Sequence, residues 1–187
     1  MEQAAWTAQA RAYLFAKVNL SKGARLLEVG CGTGAVISSI PAAFNQPAHG
    51  LDIDFEYLQI SHGLLPMARL VCGDAHWLPY NSGAFDACFC HFFLMWVNAA
   101  NVLIEMRRVT QPGGWIMALA EPDYGGRIDY PEQLGQIGRW QAQALRKQGA
   151  DPNTGRRLTS LFTETGLVDI RAGVIGGEWT RARSPEA

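Results

Sequence analysis

Short apolar runs alternate with amphipathic stretches over the first two thirds of the chain. Each run is bounded by glycine, proline or polar residues, which is typical of strands buried in a parallel sheet. The predicted strands occupy residues 24–29, 48–53, 69–72, 84–90 and 115–120. The predicted helices occupy residues 4–19, 35–40, 55–62 and 99–109. This alternation predicts an α/β fold, a doubly wound and mostly parallel sheet with helices on both faces.

Residues that favour helix ends agree with these bounds. Asp54 and Asn98 stand directly before two predicted helices, where their side chains can accept backbone N–H bonds. After the fifth predicted strand the pattern changes, because a loop rich in Gly, Asp and Tyr leads into two predicted helices at 131–148 and 154–165. A sixth strand is predicted at 167–174.

Composition and charge narrow the class of protein. The 187 residues are 48% hydrophobic and 18% charged, with a net charge of −1, which predicts one globular domain and gives no electrostatic reason to expect nucleic-acid binding. No apolar run reaches the ~20 residues of a membrane span, and the N-terminus does not resemble a signal peptide. The cysteines form no CxxC pair, so no metal site is predicted and a reduced, cytoplasmic setting is expected.

Three glycines at alternate positions, Gly30, Gly32 and Gly34, follow the first predicted strand. Glycine tolerates positive φ and has no side chain, so a ligand can approach the backbone closely. Asp52 follows Gly30 by 22 residues, at the end of the second predicted strand, where its carboxylate can accept hydrogen bonds from ribose hydroxyls. Gly30-x-Gly32-x-x-Ala35 also matches the dinucleotide fingerprint, so a nicotinamide-dependent oxidoreductase stays open at this point.

Five short motifs resemble, in order, those of class I S-adenosylmethionine-dependent methyltransferases. The similarity is to small-molecule enzymes of the ubiquinone- and menaquinone-biosynthesis type, and it covers roughly residues 24–121. The motifs are LLEVGCGTG at 26–34, GLDID at 50–54, GDA with the following LP at 73–79, FDA leading to His91, and RRV-x-x-PGG at 107–114. A nicotinamide enzyme would give no role to Asp74 or to the PGG turn.

The resemblance implies a site for S-adenosylmethionine, with S-adenosylhomocysteine as the product. In the family, the acidic residue at the position of Glu28 helps to hold the methionine end, and aspartates at the positions of Asp52 and Asp74 meet the ribose and the adenine amino group. Ala75 would offer its backbone N–H to the adenine ring, and His91 its carbonyl to the cofactor's amino group. The residues predicted to bind the cofactor are Glu28, Gly30, Cys31, Gly32, Gly34, Asp52, Ile53, Asp74, Ala75 and His91.

The implied reaction is methyl transfer to a small-molecule acceptor by in-line displacement, which requires alignment more than it requires a general base. The acceptor is expected on the variable segments, residues 1–19 and 121–165. No catalytic residue is assigned, and the candidates are His91, Asp123 and Tyr124. The alternatives are the oxidoreductase named above and a non-catalytic module that retained the cofactor fold.

We expect one methyltransferase domain with four parts. They are an N-terminal cap helix (1–23), a cofactor-binding core (24–121), a helical insertion on the substrate side (122–166), and a final strand with a tail (167–187). The family sheet usually has seven strands, whereas six are predicted here. The sequence is therefore either truncated at its C-terminus or pairs its last strand differently, and in both cases an exposed sheet edge would allow a homodimer to form.

Overall fold

The computed structural model describes residues 2–18, 20–40 and 47–174. Its sheet has five strands in the order β3-β2-β1-β4-β5, and every neighbouring pair is parallel. The strands are β1 (Leu26–Val29), β2 (His49–Asp52), β3 (Arg69–Cys72), β4 (Phe85–His91) and β5 (Thr110–Leu119). The predicted α/β fold with a doubly wound parallel sheet is confirmed. The order reverses between β1 and β4, and ligands of such sheets bind at that point, beyond the carboxyl ends of the strands.

The helices agree with the predicted pattern on most of the chain. They are α1 (Glu2–Trp6), α2 (Ala8–Lys17), α3 (Phe55–Leu64), α4 (Ala99–Val109), α5 (Leu134–Lys147) and α6 (Thr154–Glu164). The predicted caps are confirmed, because Asp54 accepts hydrogen bonds from the N–H groups of Glu56 and Tyr57, and Asn98 accepts one from Asn101. None of the helices in the described ranges is both long and apolar enough to cross a membrane.

The predicted helix at 35–40 is wrong. The segment forms only a short 3₁₀ turn, Ile37–Ser39. The hydroxyls of Ser38 and Ser39 donate to the carbonyls three residues before them, at 2.9 and 2.7 Å, and so offer the backbone a local alternative to helix. Ile40 is extended, as expected of a residue that precedes proline.

The predicted sixth strand at 167–174 is also wrong, since these residues form no strand in the structure. The N–H of Leu167 bonds back to the carbonyl of Phe162 at 3.0 Å, and Asp169 has a φ of +54°, so the chain leaves the extended path at once. The single helix predicted at 4–19 is divided at Thr7 into α1 and α2.

Side chains that alternate along the central strands fill a core on each face of the sheet. On one face Leu27, Cys88 and Cys90 pack with the apolar side of α4, in a cluster that includes Val102, Leu103 and Met106. On the other face, Leu26, Ala87 and Phe89 pack with Phe15 of α2. The rings of Phe15 and Phe89 meet edge to face at 5.4 Å, so the N-terminal helices are anchored on the sheet.

Candidate functional site

The turn after β1 is bonded to the end of β2. The N–H groups of Gly30 and Cys31 both donate to the carbonyl of Leu51, at 2.8 and 3.0 Å. Gly30, Gly32 and Gly34 have φ values of +74°, +50° and +78°, which side-chain-bearing residues rarely adopt. The sequence pattern of alternate glycines therefore marks a real left-handed turn at the carboxyl end of β1.

The three glycines differ in what surrounds them. A Cβ at Gly30 would lie 2.2 Å from Cδ2 of Phe93, and one at Gly34 would lie 2.4 Å from Oγ of Ser61. A Cβ at Gly32 would meet nothing within 4 Å. The outer two glycines are thus enclosed by neighbouring side chains, while Gly32 faces open space in which a ligand can contact the backbone.

Asp52, at the end of β2, joins this turn. Its Oδ2 accepts a hydrogen bond from the N–H of Gly32 at 2.7 Å, and its Oδ1 accepts one from the N–H of Asp54 at 2.9 Å. The carbonyl of Asp52 accepts the N–H of Gly73 at 2.9 Å, which brings in the loop after β3. Each carboxylate oxygen can accept a further bond, so Asp52 remains competent to bind hydroxyl groups.

Asp74 lies in the loop after β3, which is bonded to Asp52. Its Oδ1 accepts the backbone N–H of His76 at 2.9 Å and lies 2.6 Å from Nδ1 of the same residue. These bonds hold the pKa of Asp74 below its usual range. Ala75 is buried, whereas Ile53 and Trp77, the residues after Asp52 and His76, have 72% and 80% of their surface exposed. The exposed apolar side chains of Ile53 and Trp77 thus lie in the same two loops as Asp52 and Asp74, after β2 and β3.

Glu28 lies inside the sheet, on β1, and is only 2% exposed. Its Oε2 is buried without a hydrogen-bond partner in the described structure. Burial raises the pKa of Glu28 well above its ordinary value, although the amide of Ile37 and the positive charge of Arg11 oppose that rise. Oε2 of Glu28 can therefore accept a further hydrogen bond, and its predicted role at the methionine end of the cofactor stays a prediction.

His91 ends β4 on the same edge of the sheet. Its Nε2 lies 2.8 Å from Oγ1 of Thr7, which stands between α1 and α2. Burial, with the nearby charge of Arg11, lowers the pKa of His91 to about 4. The imidazole is therefore neutral near pH 7 and is hydrogen-bonded to the segment between the N-terminal helices, and the contact of the His91 carbonyl with the cofactor stays a prediction.

Asp123 and Tyr124 lie beyond β5 and are occupied by structural contacts. Asp123 forms an ion pair with Arg156 at 2.7 Å, which holds its pKa below the usual range, and it accepts the N–H of Gly125 at 3.2 Å. The hydroxyl of Tyr124 accepts a long hydrogen bond from Gln141 at 3.4 Å. Their roles as substrate contacts stay predictions.

Sequence reasoning missed Glu121 as a functional residue. Its Oε1 accepts the N–H groups of Phe93 and Leu94 at 2.8 and 3.0 Å, and its Oε2 accepts that of Met95 at 3.3 Å. Burial nevertheless raises the pKa of Glu121. The carboxylate fixes the loop after β4, which carries Phe93 against Gly30. Its position two residues after β5 was the available signal, since polar residues at strand ends line the crevice.

Comparisons with known proteins agree with this geometry. Residues 27–118 match the model of a family described as "Methyltransferase domain". The chain is 32% identical to a demethylmenaquinone methyltransferase of Geobacillus kaustophilus over 82% of its own length and 75% of that enzyme's. The chain belongs to the class I S-adenosylmethionine-dependent methyltransferases. This membership agrees with the five motifs and favours a methyltransferase over a nicotinamide enzyme.

Two further similar proteins show how much of each chain the similarity covers. A demethylmenaquinone methyltransferase of Renibacterium salmoninarum is 36% identical over 60% of this chain, and the match spans only about half (48%) of that enzyme. The solved structure of geranyl diphosphate C-methyltransferase from Streptomyces coelicolor, with Mg²⁺, geranyl diphosphate and S-adenosylhomocysteine bound, gives a TM-score of 0.65 at 16% identity. That match covers 85% of this chain and 59% of the other. It supports the methyltransferase fold.

Proposed function

We propose that this chain transfers the methyl group of S-adenosylmethionine to a small-molecule acceptor. The observation that carries the proposal is the 2.7 Å hydrogen bond between Oδ2 of Asp52 and the N–H of Gly32. It brings the acidic residue of β2 onto the open position of the glycine turn, as a nucleoside site at a topological switch point requires. The membership of the family supports the same reaction.

The residues present fit the cofactor. The exposed backbone at Gly32 and the carboxylate of Asp52 would receive the sugar, and the loop of Asp74 and Ala75 would receive the base. Glu28, whose buried Oε2 lacks a partner, would accept a hydrogen bond from the ammonium group at the methionine end. These assignments follow the sequence prediction and rest on the placement of the side chains at one edge of the sheet.

When bound, the cofactor supplies a methyl group on a cationic sulfonium, which is intrinsically reactive toward a nucleophile. The protein therefore needs to align the two reactants and exclude water. Asp52 accepts the N–H of Gly32 and so places its carboxylate at the glycine turn, which favours a cationic ligand. His91, whose pKa burial lowers to about 4 and whose ring contacts Thr7, acts here in structure and not as a general base.

The acceptor would bind on the segments outside the sheet, α1 to α2 and residues 121–165. Apolar side chains are exposed along α5 and the loop before it, namely Ile128, Tyr130, Leu134, Ile137 and Trp140. They support an apolar acceptor, in keeping with the demethylmenaquinone acted on by the relatives. A library for turnover assays should therefore include naphthoquinols beside other hydroxyl, amine, thiol and carbon nucleophiles.

The binding test is titration calorimetry with S-adenosylhomocysteine on the wild-type chain and on Asp52→Ala. The substitution removes charge-assisted hydrogen bonds, so the affinity should fall by ~1–3 kcal/mol. Asp54→Ala is the matched control, because Asp54 caps α3 two residues away. It should cost about 1 kcal/mol of folding stability and leave the affinity unchanged.

Three results would contradict the proposal in different ways. Binding of NADH without binding of S-adenosylhomocysteine would restore the oxidoreductase alternative. Equal affinities for wild type and Asp52→Ala would remove the assigned role of Asp52. Binding of the cofactor product without formation of S-adenosylhomocysteine from any acceptor in the library would favour a non-catalytic module.

Two further expectations belong to this proposal. The thiols of Cys31, Cys72, Cys88 and Cys90 are all free, which supports a reducing, cytoplasmic location. β5 is an outer strand of the sheet formed by the described residues, and an unpaired edge supports a homodimer. Light scattering at several protein concentrations would measure the oligomeric state.

A further inference from the structure

One carboxylate accepts three successive amides of the loop that follows β4. Oε1 of Glu121 accepts the N–H groups of Phe93 and Leu94 at 2.8 and 3.0 Å, and Oε2 accepts that of Met95 at 3.3 Å. These amides lie at the start of a short 3₁₀ turn, Leu94–Trp96, where a helical backbone has no partners of its own for them. The carboxylate therefore supplies the acceptors that the local backbone lacks.

Two strained backbone positions adjoin this contact. Phe92 and Ala120 have φ values of +51° and +57°, in the left-handed region that side-chain-bearing residues rarely adopt. Phe92 precedes Phe93 and Ala120 precedes Glu121. The N–H of Phe92 also donates to the carbonyl of Leu119 at 3.2 Å. Such conformations persist only where the surrounding contacts hold them, and the bonds from Glu121 join the two segments that contain them.

The first of these amides belongs to a residue that packs on the glycine turn. A Cβ at Gly30 would lie 2.2–2.7 Å from three atoms of the Phe93 ring. The N–H of Gly30 donates to the carbonyl of Leu51 at 2.8 Å, so the turn is held between the end of β2 and this ring. The position of the ring limits the path of the turn, and the bond from Glu121 to the N–H of Phe93 sets the position of the ring.

The third amide leads to the side assigned to the acceptor. The carbonyl of Met95 accepts the N–H of Asp151 at 2.7 Å. Oδ1 of Asp151 accepts the N–H of Asn153 at 3.0 Å, and its carbonyl accepts Oγ1 of Thr154 at 2.8 Å, where α6 begins. The residue that Glu121 holds through its N–H thus holds the start of α6 through its carbonyl.

We infer that Glu121 is a positioning residue for methyl transfer, which sets the glycine turn through Phe93 and the acceptor segment through Met95. This inference rests on the proposed function. A carboxylate suits the task because both of its oxygens accept hydrogen bonds and neither donates one, so all three N–H groups are satisfied. A change at Glu121 should therefore alter ligand binding as well as stability.

The main test is titration calorimetry with S-adenosylhomocysteine on wild type and Glu121→Ala, below the unfolding temperature of both. The affinity of the variant should be lower by about fivefold or more, the lower end of typical coupling between sites. Arg107→Gln is the control, because it removes a 3.1 Å hydrogen bond to the carbonyl of Thr165 at the end of α6. It should lower the unfolding temperature and leave the affinity unchanged. Equal affinities for wild type and Glu121→Ala would overturn the inference.

Glu121→Gln separates the two connections. Its amide has one accepting oxygen and one donating NH₂ group. The oxygen satisfies more amides when it faces Phe93 and Leu94, which leaves the NH₂ group opposite the N–H of Met95. The affinity for S-adenosylhomocysteine should stay within about twofold of wild type, while hydrogen exchange at the Asp151 amide, followed by NMR, should become faster. A loss of affinity as large as in Glu121→Ala, or unchanged exchange at Asp151, would overturn the assignment of the two connections.

A measurement on wild type keeps the test valid if Glu121→Ala does not fold. Coupling between two sites is reciprocal, so saturation with S-adenosylhomocysteine should slow hydrogen exchange at the amides of Phe93, Leu94 and Met95 by about fivefold or more. Exchange at Leu167, which is bonded to the carbonyl of Phe162, should not change. Unchanged exchange at the three amides would overturn the inference. Absence of S-adenosylhomocysteine binding to wild type would instead refute the proposed function, which is a distinct outcome.

Discussion

Residues 24–121 and residues 122–174 are stabilised by different kinds of contact. The first segment contains all five strands of the described sheet, and its alternating side chains contribute to cores on both faces. The second segment adds no strand in the described range, and α5 buries only Gly138 and Ala142. Ile137 and Trp140 of α5 are more than half exposed. The cofactor side is thus fixed by backbone geometry, whereas on the acceptor side α6 joins the core through Leu161 and α5 makes few buried contacts.

Two backbone hydrogen bonds close the base of the second segment on itself, and a third joins it to the first segment. The N–H of Tyr124 donates to Pro152 at 2.8 Å, the N–H of Gly155 to Pro122 at 2.8 Å, and the N–H of Asp151 to Met95 at 2.7 Å. The exposed side chains of α5 and the loop before it can change without disturbing the sheet, which is how one scaffold accommodates different acceptors. Substitutions should accordingly have large effects in the first segment and small effects at the exposed positions of the second.

The largest effect is expected for Gly30→Ala. The new Cβ would lie 2.2–2.7 Å from three atoms of the Phe93 ring, in a residue with a φ of +74°. Left-handed backbone strain costs ~1–2 kcal/mol and overpacking ~1–3 kcal/mol, so the free energy of unfolding should fall by about 3 kcal/mol. Urea unfolding followed by circular dichroism measures this change, and calorimetry should show much weaker binding of S-adenosylhomocysteine.

Gly23→Ala is the matched control for this substitution. Gly23 has a φ of +85°, and a Cβ there would meet nothing within 4 Å. The control should therefore show only the backbone strain, ~1–2 kcal/mol, and should retain ligand binding. Equal losses of stability and of ligand binding in Gly30→Ala and Gly23→Ala would contradict this prediction. They would show that close packing against the Phe93 ring adds nothing to the backbone strain.

Glu121, at the junction of the two segments, should give the next largest effect. Glu121→Ala leaves the amides of Phe93, Leu94 and Met95 without their acceptor, which should lower the free energy of unfolding by about 2 kcal/mol. For a chain of this length that corresponds to a fall of roughly 4–8 °C in the unfolding temperature. Glu164→Ala, at an exposed position of α6, should leave the temperature nearly unchanged. Equal melting temperatures for the two variants would refute the role of Glu121.

The contrast between the segments also explains how much the sequence could predict. Glycine at positions of positive φ and aspartate at strand ends are required by local backbone geometry, so Gly32 and Asp52 were readable from their spacing. The role of Glu121 could not be predicted, because it depends on hydrogen bonds with amides 26 to 28 residues earlier in the chain. The strand predicted at 167–174 failed because an apolar pattern does not specify a pairing partner.

Buried acids on the cofactor side should make stability fall as the pH rises. The pKa of Glu28 is raised by burial, so the folded state holds this proton more tightly than the unfolded state does. The stability it contributes is present below its ordinary value of 4.5 and is lost as the pH rises through the raised folded pKa. Glu28→Gln should remove this dependence, and urea unfolding of both proteins at several pH values measures the difference. If the difference in free energy of unfolding between wild type and Glu28→Gln stayed constant above pH 4.5, the expected direction would be wrong.

The acceptor side should show the opposite and smaller dependence. Arg156 holds the pKa of Asp123 below its ordinary value of 3.8, so the stability from this pair is present above 3.8 and is lost as the pH falls through the lowered folded pKa. The pair is partly exposed, so the loss should be small and weakened by salt. Asp123→Asn should therefore have a lower free energy of unfolding than wild type at neutral pH and the same free energy of unfolding in acid. In a protein that also carries Arg156→Gln, Asp123→Asn should have no such effect. Wild type, the two single variants and the double variant should all bind S-adenosylhomocysteine with the same affinity, because neither residue contacts the glycine turn or its two aspartates in the described structure. A change in that affinity would show that the two segments are coupled.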